Sequence, residues 1–115
     1  MLHLISGHNG EGSGAVSPFL DEGTETIILR NLITLNLTRL GYIDYTIDDD
    51  KDKLNTVITT LKGKVKPDDI LIDIHFNAAD PKATGSEVFI PTDYDEVEKE
   101  LALQLLNEVT TTLGI

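Results

Sequence analysis

The chain has 115 residues, with nine Lys and Arg against twenty Asp and Glu, for a net charge of −11. That length supports one domain, which buries roughly two-thirds of its unfolded-chain surface and needs no covalent staple. Few, scattered cations argue against a nucleic-acid partner and against docking on an anionic membrane, and the lack of cysteine excludes disulfide, thiol and Cys-zinc chemistry.

Apolar residues make up 40% and charged residues 25%, which is a globular balance rather than a disordered one. No apolar run approaches the roughly 18 residues of a membrane span. Met1-Leu2-His3-Leu4-Ile5 lacks the basic segment and long apolar stretch of a signal peptide. The expectation is therefore cytoplasmic synthesis, with structure beginning at a first strand.

In chain order, Leu2–Ser6 reads as that strand. Residues 7–23 carry five of the nine glycines and Pro18, and read as a long loop. Thr24 is placed to cap a helix over 24–40, with Leu29, Leu32, Ile33, Leu37 and Leu40 as its apolar face and Gly41 as its stop. Tyr42–Ile47 reads as a second strand, and Asp48–Asp52 as a solvated acidic turn. Leu54, Val57, Ile58 and Leu61 mark a second helix. Ile70–Ile74 is apolar except for Asp73, the pattern of a strand covered on both faces. Gly85–Ile90 reads as a fourth strand. Asp93–Leu113 reads as a third helix, with Val97, Leu101, Leu105, Val109 and Leu113 inward.

The order β-α-β-α-β-β-α defines an α/β fold, a mostly parallel sheet of about four strands flanked by helices. The link between the last two strands is too short for a parallel crossover, so that pair is expected to be antiparallel.

In open α/β sheets, ligands lie beyond the carboxyl ends of the strands. His8 follows strand one by two residues, His75 follows strand three, and Glu22 opens the first helix. Two imidazoles and a carboxylate on such a rim suit zinc held by three protein ligands with an open fourth position. The plainer alternative is a loop histidine and a histidine that merely ends a strand. His3, inside strand one, reads as structural.

The surrounding strings add a further layer. Gly7-His8-Asn9-Gly10, Gly14-Ala15-Val16 and Asp21-Glu22-Gly23 form one block. Asp73-Ile74-His75-Phe76-Asn77-Ala78 ends the next, and Gly85-Ser86-Glu87-Val88-Phe89 is the third. In order and spacing these resemble the type-3 zinc N-acetylmuramoyl-L-alanine amidases, including phage endolysin catalytic domains. The resemblance runs from Leu2 to the third helix. It implies that His8, Glu22 and His75 hold one zinc ion, with Glu25 the competitor for Glu22. It also implies that Asn77, and Asn9 in the first block, orient the loop or a substrate carbonyl. The implied reaction is hydrolysis of the amide between muramic acid and L-alanine in peptidoglycan. The implied site of action is the bacterial wall, with a phage or prophage source or separate export as the route there.

Members of that family continue into a further core strand ending in a catalytic glutamate, which these 115 residues do not contain. The sequence thus reads as a C-terminally incomplete single amidase-like domain, the N-terminal two-thirds of the fold. Three sources remain for the general base: a longer chain, another chain, or a local carboxylate. Glu87 and Asp73 are the local candidates. Asp73 shares a strand face with His75, so a partner of a metal-bound imidazole is its favoured role, and Glu87 reads as a pocket wall. An unpaired sheet edge would also favour a homodimer. The alternative function is a non-catalytic zinc-binding or wall-binding remnant.

Other motifs fall short. Gly10–Gly14 lacks the Gly-Lys-Ser/Thr ending of a phosphate loop. Asp48, Asp50 and Asp52 alternate as in a calcium loop, but Lys53 and Thr59 stand where glycine and glutamate are needed.

Overall fold

A computed structural model describes residues 1–7, 21–76 and 85–114. The chain divides into two compact units, Met1–Ala78 and Ala79–Ile115. The first contains β1 (Leu2–Ile5), α1 (Glu22–Arg39), β2 (Tyr45–Ile47), α2 (Leu54–Lys64) and β3 (Ile70–Asp73), and the second contains α3 (Glu96–Leu113).

The three strands form one sheet in the order β2-β1-β3. Both pairings are parallel, with His3 opposite Thr46 on one side and Leu71 on the other. Chain progress across the sheet reverses at β2, because the first crossover moves from β1 to one side and the second returns past β1 to the other. Right-handed crossovers then send α1 and α2 to opposite faces. The burial of β1 agrees, since His3, Leu4 and Ile5 are all buried although they alternate between faces.

The α/β class holds, with corrections. The described sheet has three strands rather than four, and no antiparallel pair occurs among the described residues. Gly85–Ile90 has no ladder partner there and is irregular. β2 is limited to Tyr45–Ile47. β3 is an outer strand of the described sheet, so Ile70 and Leu71 stay 41% and 44% exposed instead of covered on both faces.

α1 starts two residues earlier than the capping argument placed it. Asp21 is the N-cap, its carboxylate accepting from the Thr24 amide at 3.2 Å. The helix ends at Arg39 with Leu40 as its C-cap, and Gly41 beyond it takes a φ of +86°, which is open to glycine. Its buried face also differs. Glu22, Gly23, Thr26 and Arg30 are buried, whereas Leu32 and Leu40 are exposed. Polar side chains win that face because each has a bonded partner. The Thr26 hydroxyl donates to the Glu22 carbonyl at 2.8 Å, and Arg30 is ion-paired.

α3 begins at Glu96 behind a capping box, with Asp95 accepting from the Glu98 amide and Glu98 accepting from the Asp95 amide. None of its residues is buried, and Val97 and Leu113 of the expected inward face are exposed. Among the described residues its own unit holds one helix and irregular chain, too little surface to cover that face.

Candidate functional site

Three segments meet at the carboxyl end of the sheet. Ser6 and Gly7 leave β1, Asp48 follows β2, and Ile74 and His75 follow β3. For the order β2-β1-β3, the rim between β1 and β3 is the topological switch point where ligands bind in doubly wound sheets.

Gly7 lets the two strand ends close on each other. Its φ is +67°, and a Cβ there would lie 2.2 Å from the Ile74 carbonyl oxygen and 3.0 Å from the His75 ring. Any other residue would clash with the backbone just after β3 and adopt a disfavoured conformation. The glycine before His8 is thus a requirement of packing against His75.

His75 is held between two carboxylates. Its Nδ1 is 3.2 Å from Glu22 Oε1, and its Nε2 is 2.9 Å from Asp73 Oδ2. Glu22 Oε1 also accepts from the Phe76 amide at 3.0 Å. Glu22 is buried at the first turn of α1, while the His75 side chain is 39% exposed. The site therefore pairs a fixed carboxylate with a solvent-reachable imidazole. Partial burial opposes the proton on His75. The hydrogen bonds and charges of Asp73 and Glu22 outweigh that and raise its pKa above the ordinary histidine value.

The structure thus brings Glu22, His75 and Asp73 together. His8, Asn9 and Asn77 lie outside the described residues. Glu25 lies in the first turn of α1, where its charge suits the helix dipole. Glu87 is an exposed residue of the second unit. Among the described residues no group of three His, Asp or Glu is arranged to hold a metal. The Glu22–His75 pair nevertheless fits one. Its nitrogen and oxygen donors are those zinc takes, and Asp73 on Nε2 leaves Nδ1 directed at Glu22, the pattern of a ligand histidine oriented by an outer carboxylate.

Sequence reasoning missed two residues beside this site. Asp48, expected in a solvated turn, has a side chain only 1% exposed, as does Arg30. Arg30 Nη1 donates to Asp48 Oδ1 at 2.8 Å, and Nη2 donates to Asp50 Oδ1 at 2.6 Å. Asp48 also accepts from the Ser6 amide at 3.1 Å and the Ser6 hydroxyl at 2.9 Å. Burial disfavours the charge on Arg30, but the bonds to Asp48 and Asp50 more than offset this and raise its pKa. The strand-end rule that singles out His8 and His75 applies equally to Asp48, and that was the available signal.

The family model for N-acetylmuramoyl-L-alanine amidase matches residues 2–115, so the chain belongs to that family. The chain is also similar to the Bacillus subtilis (strain 168) protein YqiI, described as uncharacterized, with 26% identity over 113 residues. That alignment covers 97% of this chain and 55% of YqiI, so the chain spans about half the length of this curated relative. No solved structure gives a significant match.

Proposed function

We propose that this chain carries the zinc-binding part of a peptidoglycan amidase that cleaves the N-acetylmuramoyl–L-alanine bond. The observation behind this reading is the Glu22–His75 pair, set at the β1/β3 switch point of a chain that belongs to the amidase family. His75 and Glu22, with His8, would hold the ion. Bound there, zinc supplies Lewis-acid polarisation of the scissile carbonyl and activation of water.

The remaining work falls to the chain. Glu22 keeps its carboxylate fixed by accepting from the Phe76 amide. Asp73 accepts from Nε2 of His75, which fixes the ring and the nitrogen that faces Glu22. This bond makes Asp73 a positioning group for the imidazole and leaves its use as general base disfavoured. Asn77 and Asn9 are proposed to orient substrate. The proposed place of action is the bacterial cell wall.

The test is incubation of the zinc-loaded chain with purified peptidoglycan, reading new L-alanine amino termini. Release that disappears in Glu22→Ala supports the amidase reading. Zinc binding and wall binding without release would assign the chain to recognition rather than cleavage.

A further inference from the structure

Asp48 lies outside the proposed ligand set, yet its carboxylate bonds both α1, which carries Glu22, and the end of β1, which packs against the segment carrying His75. On one side it accepts from the amide and hydroxyl of Ser6, which is fully buried. Ser6 precedes Gly7, and Gly7 abuts the Ile74 carbonyl and the His75 ring. On the other side the same carboxylate binds Arg30 Nη1, and the Asp48 backbone carbonyl accepts from Nη1 at 3.3 Å. Arg30 lies two turns along α1 from Glu22 on the same buried face, with Thr26 between them. A one-residue contact thus fixes how far α1 sits from the end of β1.

We propose that Asp48, acting through Arg30 and Ser6, is a positioning residue that sets the Glu22–His75 separation and so the metal affinity of the site. This rests on the metal reading above. Two features favour a positioning role over plain stabilisation. Burying an ion pair is a poor way to gain stability, since a well-packed apolar pair commonly does as well. The pair also stands at the carboxyl rim, where small shifts in ligand spacing are felt, rather than deep in the layer between helix and sheet.

The experiment measures the zinc dissociation constant by chelator competition, with the visible spectrum of the cobalt-substituted protein as a second readout. Removing one charge alone would leave its partner buried and unpaired, so the variant is the double substitution Arg30→Gln with Asp48→Asn. Asp69→Asn, at the opposite end of the sheet, is the control that lowers stability without touching the rim. Ser6→Ala keeps every charge and serves if the double variant does not fold. Zinc affinity should fall about tenfold or more in the double variant, in line with outer partners of metal ligands, and by a smaller factor in Ser6→Ala. The cobalt spectrum should change in both. Asp69→Asn should keep wild-type affinity while melting earlier. A folded double variant with unchanged affinity and cobalt spectrum overturns the positioning role. So does unchanged affinity in Ser6→Ala if only that variant folds, or an equal loss of affinity in Asp69→Asn. Absence of zinc binding in the wild type would instead overturn the metal reading on which the proposal stands.

Discussion

The two ends of the sheet each carry a histidine bonded to an aspartate, and the two differ in exposure and in partners. At the amino end, His3 Nε2 is 2.9 Å from Asp69 Oδ2, and its Nδ1 is 2.6 Å from the Thr46 hydroxyl. Asp69 also accepts from the amino terminus at 3.2 Å and from the Lys66 amide at 2.9 Å. The His3 side chain is 3% exposed and every partner is spent on tying β2, β1 and the start of β3 together. At the carboxyl end, His75 is 39% exposed and meets a carboxylate at each nitrogen. An imidazole–carboxylate pair is therefore not a functional signal by itself. A second carboxylate, an open face and a place at the switch point make the difference.

The comparison breaks most visibly at the buried ion pair. Arg30→Met leaves Asp48 buried without its cation, and should cost about 3–5 kcal/mol of stability by chemical denaturation, the usual result of removing one partner. A loss no larger than that of an exposed substitution would mean that the pair is solvated. Next in size is Gly7→Ala. The backbone clash with Ile74 predicts a loss of about 1–3 kcal/mol, comparable to overpacking a core. The same change should weaken zinc binding, because His75 forms part of the contact.

The two ends should also respond to pH with opposite sign. Hydrogen bonds from His3, Lys66 and the amino terminus hold Asp69 well below the ordinary carboxylate range. A depressed carboxylate stabilises the fold above its unfolded pKa, so this contribution is lost as pH falls below about 4. His75 is raised by Asp73 and Glu22. A raised histidine stabilises the metal-free fold below its unfolded pKa, so that contribution is lost as pH rises above about 6.5. Thermal melts of metal-free protein across pH 3–9 should show both limbs. Asp69→Asn should flatten the acid limb alone, and His75→Gln the alkaline limb alone. An acid limb that survives in Asp69→Asn would place that dependence elsewhere.

The smallest expected effect concerns association. The outer strand β3 carries half-exposed Ile70 and Leu71. Pairing of two copies along that edge predicts a molar mass by light scattering that rises with protein concentration. A constant monomer mass would exclude it.

Much of the fold was legible in the sequence. The helices expected over 24–40, from Leu54 to Leu61 and over 93–113 occur at 22–39, 54–64 and 96–113, and the three parallel strands match the apolar runs that marked them. The buried face of α1 was not legible. Periodicity marks Leu32 and Leu40, but burial falls on Glu22, Thr26 and Arg30, because bonded partners distant in sequence determine whether a polar side chain can be buried. The fourth strand failed for a related reason. A strand exists only with a ladder partner, and Gly85–Ile90 has none among the described residues. At the site, the strand-end rule singled out His75 and the start of the first helix supplied Glu22, and the two side chains do meet. Asp48 escaped because a run of aspartates reads as solvated until one of them finds an arginine.

The central claim is that the carboxyl rim binds a metal ion and the amino end does not. The most direct measurement is the zinc content of the purified chain beside His75→Ala and His3→Gln. The account predicts about one zinc ion per chain, as for a site with three protein ligands, lost in His75→Ala and retained in folded His3→Gln. No zinc in the wild type even after soaking, or zinc undiminished in His75→Ala, would contradict it.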